Sequence, residues 1–257
     1  KNLRYKIPDN FSSSLIGEKI LKIKRRSKYL IFYFKKKILL IHLGMSGKLL
    51  IMRINDNMLF KTSFYYDINI LKKHNHIYFK LNNGFHIIYN DVRRFGFLKI
   101  YKITKINQIP FLTKLGLEPF SKKFNQKYFE KFILGRKKNI KSLLLDQTFV
   151  SGLGNIYANE VLFVSKISPL RDCKNLNKNE IAIIILNIKK ILKSSISKGG
   201  SSIKDFKDTK GKSGKFQQFF TVYGRENKNC SRIPCKGKIK KIKISNRSSF
   251  YCSECQS

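Results

Sequence analysis

The sequence predicts an α+β chain in three parts: an N-terminal β-sandwich over residues 1–107, a helical module over 108–212 and a small cysteine-bearing β-hairpin over 213–257. Three observations predict it. Short β-branched and aromatic runs broken by turn residues fill the first hundred residues or so. Apolar residues fall at helical spacing after Pro110, and four of the five cysteines lie beyond Phe216.

The strand pattern opens with residues 29–34 and 38–41, two apolar runs joined by Lys35-Lys36-Lys37 as a hairpin. Residues 48–53, 77–81, 85–89 and 97–101 continue it, with Asn82-Asn83-Gly84 as a tight turn. Repeated short strands with turn chemistry between them suggest a sandwich. Beyond Pro110, residues 126–134, 138–146, 155–164 and 177–198 carry the apolar period of helices, and Gly199-Gly200 supplies a glycine stop to the last one. A loop of Lys, Gly, Ser and Asp follows over residues 201–215.

Lys and Arg number 54 against 15 Asp and Glu, a net charge of +39 that calls for a polyanionic partner. The Lys-, Ile-, Asn- and Phe-rich vocabulary would also arise from an A/T-biased genome, so charge alone does not choose between DNA and RNA. The opening residues lead into no apolar signal segment, and no apolar run reaches membrane-spanning length. A cytosolic protein with reduced thiols and no membrane partner is expected.

In the tail, four residues separate Cys230 from Cys235, two separate Cys252 from Cys255, and sixteen lie between the pairs. Two close cysteine pairs joined by a hairpin suit one structural Zn²⁺, whose binding would supply much of the folding free energy of so short a segment. Two disulfides or four free thiols are the alternatives; the lack of an export signal favours zinc. Cys173 stands apart and reads as a small buried hydrophobe. Arg247, flanked by small polar residues between two strands, is placed to reach a phosphate.

Five stretches together resemble the formamidopyrimidine-DNA glycosylase family: 25–30 (Arg-Arg-Ser-Lys-Tyr-Leu), 41–47 (Ile-His-Leu-Gly-Met-Ser-Gly), 91–96 (Asp-Val-Arg-Arg-Phe-Gly), 146–160 with its Gly-Leu-Gly-Asn core, and the cysteine hairpin. The resemblance implies a helix–two-turns–helix module and a zinc-finger hairpin. It also implies a monomeric, nucleoid-associated bacterial enzyme of base excision repair, a glycosylase and AP lyase for 8-oxoguanine and formamidopyrimidines in duplex DNA. By resemblance, Asn155, Lys28, His42 and Arg247 grip phosphates and hold the nucleotide extrahelical. Lys28 would assist β-elimination and Arg247 δ-elimination. Met45, Arg93 and Phe95 match a trio that fills the gap left by the flipped base, which separates the chain from the related endonuclease VIII branch. His74, Lys137 and Lys141 fall at or near further backbone contacts. The segment from Gly199 to Phe206 resembles the approach to a loop that covers the flipped base.

The sequence departs from the family pattern in two places. Family members begin with Pro-Glu, the proline amine attacking the sugar C1′ and the Glu assisting proton transfer. Lys1 aligns well inside that pattern, so the nucleophile and the first helix have no counterparts here; an exposed apolar patch on the sandwich is expected to result. The kept Lys28, Asn155 and Arg247 favour a truncated sequence over a protein that keeps damaged-DNA binding without catalysis. The second departure is Cys230, two residues further from Cys235 than the common spacing, which should lengthen a knuckle and leave metal binding intact.

Overall fold

A computed structural model describes residues 3–53, the backbone of 59–60, and residues 71–200 and 216–257. They belong to two compact units, one ending at Thr113 and one made of Lys114–Gly200 with Phe216–Ser257.

In the first unit, β1 (Lys22–Arg26), β2 (Tyr29–Tyr33), β3 (Lys37–His42), β4 (Gly47–Arg53), β5 (Leu59–Phe60), β6 (Asn75–Lys80), β7 (Phe85–Asp91) and β8 (Phe97–Lys102) build two four-stranded sheets. Their orders are β1-β2-β3-β8 and β5-β4-β7-β6, with every pairing antiparallel. Phe32, Leu39, Ile41 and Leu98 of the first sheet bury against Tyr89 and the half-buried Leu49, Ile77 and Ile87 of the second, as the predicted sandwich requires. The opposite face of the first sheet is also covered: Ile31, Ile38, Leu40 and Phe97 pack with Tyr5, Ile109 and Phe111. Burial on both faces explains why β3 reads as an unbroken apolar run. The one-turn helix α1 (Pro110–Thr113) belongs to this cover.

The sequence reading missed β1. Lys-Ile-Lys-Arg-Arg has one apolar residue, and all but Arg26 are exposed. As an edge strand it needs only backbone pairing with β2, and its charges discourage further pairing. The leading segment sends Leu3 and Phe11 into the inter-sheet core, with residues 8–17 held by successive turns.

The second unit holds α2 (Gln126–Ile133), α3 (Ile140–Leu145), α4 (Asn155–Val164) and α5 (Lys178–Ser197). Three carry asparagine N-caps: Asn125 accepts from Tyr128 N–H at 3.0 Å, Asn139 from Ser142 N–H at 2.8 Å, and Asn177 forms a capping box with Glu180. At the far end of α5, Gly199 and Gly200 take φ of 74° and 87°, the left-handed stop that glycine allows. The core centres on Phe149, which is fully buried and ringed by Phe124, Tyr128, Phe129 and Phe132.

The cysteine tail adds β9 (Ile239–Ile244) and β10 (Arg247–Cys252), an antiparallel hairpin whose turn residues Ser245 and Asn246 both have positive φ. The sequence boundary at 212/213 lies outside the described residues. The helices and the hairpin form one unit because α4 buries two polar side chains against the tail. Glu160 Oε2 accepts from Thr221 N–H at 2.9 Å and its hydroxyl at 2.5 Å, while Oε1 accepts from the N–H groups of Val222 at 3.1 Å and Tyr223 at 2.8 Å. Asn159 Oδ1 accepts from Phe250 N–H at 2.7 Å. Apolar contact of Phe163 with Val222, Ile239 and Phe250 completes the joint.

Replacing Glu160 by Ala strands the buried N–H of Val222 and the part-buried N–H groups of Thr221 and Tyr223, a loss on the order of 2 to 3 kcal/mol. Chemical denaturation of Glu160→Ala beside the parent chain is expected to show that drop.

Candidate nucleic-acid interface and metal centre

In the first unit, two loops carry three of the six predicted site residues. The loop between β3 and β4 holds Met45, and the loop between β7 and β8 holds Arg93 and Phe95. Asp91, fully buried, ties them together. Its Oδ1 accepts from the Ser46 hydroxyl at 2.5 Å and its Oδ2 from Gly96 N–H at 2.9 Å, while Ser46 Oγ accepts from Arg93 N–H at 2.9 Å. Gly44, at φ 65°, lies so close to the loop backbone that a Cβ would meet Gly96 N and Phe95 C at 2.6 Å. The buried clamp leaves the apolar side chains outside. Met45 is 58% exposed and Phe95 45%, and the Arg93 guanidinium carbon stands 4.7 Å from the centre of the Phe95 ring. Exposed apolar groups beside a planar cation, on a rigid frame, suit insertion into a base stack.

His42 lies at the base of the same loops, stacked on Phe97 with ring centres 5.5 Å apart and beside Tyr29 at 5.0 Å. Its Nδ1 accepts from Gly44 N–H at 3.1 Å, which assigns the proton of the neutral ring to Nε2. Burial, and then Lys28 and Arg4, lower its pKa to about 4. The ring is therefore a neutral Nε2–H donor at physiological pH. Lys28 is exposed in the β1–β2 turn, beside Ser27 at φ 54°. His74 ends a short 3₁₀ turn, Lys72–His74, and is half-buried.

In the second unit, Gly152 (φ 91°) and Gly154 lead into α4, with Gly152 N–H donating to Gln147 Oε1 at 2.9 Å. Gly154 is the N-cap, so α4 starts with no side-chain cap and no acidic residue in its first turn, unlike α5 with its capping box. Such an end favours an anion. Asn155 Nδ2 donates to Ser248 O at 3.0 Å, beside Arg247, which is exposed at the start of β10. Lys137 is exposed in the turn before α3.

Lys141 is a correction. Expected at a backbone contact, it is 0% exposed. Its Nζ donates to Ser248 O at 2.9 Å, Ser249 Oγ at 2.6 Å and Asn159 Oδ1 at 3.3 Å. The three donors of an ammonium are thus used inside the unit, with none left for a phosphate. Sequence proximity to Lys137 gave no sign of this, because Lys141 falls on the buried face of α3 among Ile140, Leu143 and Leu144. Asp91 and Glu160, which organise the loops and the tail, carry no role that the sequence pattern assigns. For Glu160, a carboxylate beside the apolar run 161–164 was the available signal; Asp91, set between Asn90 and Val92-Arg93-Arg94, offered none.

The four tail cysteines converge. Cys230 and Cys255 Sγ are 3.8 Å apart, Cys235 and Cys252 Sγ 3.6 Å, and all four lie within 4.8 Å of one another. Thiolates at about 2.3 Å from a tetrahedral Zn²⁺ stand about 3.8 Å apart, so the donor set fits that ion. Burial and the neighbouring thiols push the Cys255 thiol upward, a crowding that a bound divalent cation relieves. Cys173 is fully buried in the helical core, as a small hydrophobe should be. No helix among the described residues is long and apolar enough to cross a membrane.

The family model of the formamidopyrimidine-DNA glycosylase N-terminal domain matches residues 1–98, and that of the formamidopyrimidine-DNA glycosylase H2TH domain matches 115–207. The chain belongs to the formamidopyrimidine-DNA glycosylase family. A formamidopyrimidine-DNA glycosylase of Bartonella tribocorum is 42% identical over 267 residues, spanning 100% of this chain and 89% of the relative. One from Dinoroseobacter shibae is 40% identical, with 99% and 89% covered. Among solved structures, Lactococcus lactis Fpg in complex with DNA containing an abasic site superposes with a TM-score of 0.82 at 34% identity, covering 97% of this chain and 86% of that one. MutM in complex with DNA containing carbocyclic 8-oxo-G gives 0.81 at 34% identity, with 96% and 86% covered.

Burial, and then Arg247, lower the Lys141 pKa from 10.5 to about 7. The unfolded chain keeps this proton between those values while the folded chain has released it. Stability from this residue therefore rises with pH across the window, by up to about 1.4 kcal/mol per unit. Thermal midpoints from pH 7 to 10 are expected to rise in the parent chain relative to Lys141→Met; parallel curves would refute the burial argument.

Proposed function

We propose that this chain is a glycosylase and AP lyase that removes oxidised purines, 8-oxoguanine and formamidopyrimidines, from duplex DNA in base excision repair. The observation that carries the reading is the Asp91-clamped pair of loops presenting Met45, Arg93 and Phe95. A flipped base leaves a hole and an orphaned partner. Met45 fills the hole, Phe95 wedges the neighbouring step, and the Arg93 guanidinium donates to the stranded base. The solved relatives in complex with abasic-site and carbocyclic 8-oxo-G DNA support the same substrate class.

Each unit supplies its own phosphate grips. His42 donates through Nε2–H, with Lys28 and His74 as further contacts on the first unit. Asn155 at the uncapped start of α4, Lys137 and Arg247 serve on the second. In the reaction that the family resemblance assigns, the secondary amine of an N-terminal proline attacks C1′ and the damaged base leaves. A Schiff base results, and the strand is then cut by successive β- and δ-elimination, each expelling one phosphate from the sugar. Lys28 assists the first and Arg247 the second, as cations beside the phosphates that depart. The ion proposed for Cys230, Cys235, Cys252 and Cys255 is a single Zn²⁺; its four thiolates leave no open position, so its role is to hold the hairpin that presents Arg247.

Borohydride trapping on an 8-oxoguanine duplex tests the chemistry, using this chain beside one extended upstream to a Pro-Glu start. The extended chain is expected to form the covalent adduct. If it binds the lesion and never traps, the enzyme reading is lost and a damage-binding protein takes its place. Metal analysis is expected to give one zinc per chain, and Cys252→Ser to lose both the zinc and tight DNA binding.

A further inference from the structure

At the metal end of the hairpin, about 17 Å along the strands from Arg247, lies a groove of about 800 Å³ that borders Cys235 and Cys255 and whose cationic residues none of the roles above uses. Its lining includes Lys166, Arg232, Lys236, Lys238 and Lys240, against one acidic residue, Glu254. The cations are organised. Gly237 and Ile239 are buried, and a Cβ on Gly237 would meet Cys252 Sγ at 2.7 Å, so this side of the chain faces the cysteine cluster. Lys236, Lys238 and Lys240 alternate with them and are all exposed. Alternate residues of an extended chain share a face at about 6.6 Å spacing, which makes a row of three ammonium groups. Among the described residues, no salt bridge engages any of the three; Lys241, the next along the strand, pairs with Glu226 instead.

The rim is the Cys230–Cys235 knuckle. Arg232 fastens it to the helical core by donating to Phe163 O at 2.6 Å and lying over the Phe163 ring at 5.0 Å. Ile233 beside it is 93% exposed. A braced aliphatic tip next to a row of unneutralised cations fits a phosphodiester backbone in the groove, with Ile233 against a sugar or base edge. We propose that this groove is a second nucleic-acid contact, gripping a backbone segment separate from the one at Arg247 and reading no sequence. The proposal takes DNA as the polyanion from the reading above; because its readout is binding, failure of base excision would leave it standing.

The test is the salt dependence of binding to an undamaged 30-bp duplex. Each phosphate contact contributes about 0.9 to the slope of log K against log salt. The triple variant Lys236→Gln, Lys238→Gln, Lys240→Gln is expected to flatten the slope by about 2 to 3 with zinc content unchanged. A control removing three exposed lysines elsewhere in the same unit, Lys131→Gln, Lys174→Gln, Lys178→Gln, is expected to change it by less than about 1. Ile233→Ser is expected to weaken binding at constant slope. Should the triple variant lose zinc, the single variants K238Q and K240Q carry the same test, at about 0.9 each. An unchanged slope, or an equal change in the control, would overturn the proposal.

Discussion

Two buried side chains on one turn of α4 hold the second unit together. Glu160 accepts four hydrogen bonds from Thr221, Val222 and Tyr223, and Asn159 accepts from Phe250 N–H and Lys141. A hairpin of six-residue strands has little core of its own. Backbone capture by a rigid helix gives it a fixed position, and the cysteine cluster fixes its other end. The same α4 begins with Asn155, whose amide donates to Ser248 O. The residue that starts α4 and Lys141 of α3 are thereby joined at one carbonyl, that of Ser248, which follows Arg247 in β10.

Asp91 plays the corresponding part in the sandwich, with a different logic. It reaches sideways from the end of β7 to cross-link two loops that the sheet topology already brings close. The glycines at 44 and 96 permit backbone contact that no side chain could tolerate. Met45 and Phe95 can stay exposed because the loop conformations are determined by buried polar bonds rather than by burial of those apolar groups. The buried residues that fix the loops and the exposed residues that the loops present thus lie only a few positions apart.

Electrostatics divides in a similar way. The excess of 39 positive charges covers much of the chain and says little by position. Position matters where the structure removes a charge from water or withholds a partner. Lys141 is buried with its donors satisfied, and it is driven toward neutrality. His42 is kept neutral by burial and by neighbouring cations, which makes it a directional donor instead of a charge. Lys236, Lys238 and Lys240 are exposed at alternate positions and, among the described residues, have no salt-bridge partner.

The sequence by itself determined most of the element types and the cysteine donor set, because each rests on local chemistry; that the helices and the hairpin share one unit came from the Glu160 and Asn159 contacts between distant segments. Period-2 and helical patterns survive in any context that buries one face, asparagine and glycine mark helix ends through their own backbone preferences, and closely spaced cysteines are brought near one another by short turns. Only the tertiary structure decided the fate of Lys141 and the roles of Asp91, Asn159 and Glu160. A lysine on a helix is exposed or buried according to what packs on that helix, and the hairpin that covers α3 comes a hundred residues later. Strand β1 was illegible for the same reason. Its pairing depends on a neighbour's free edge, and a charged run carries no trace of that edge.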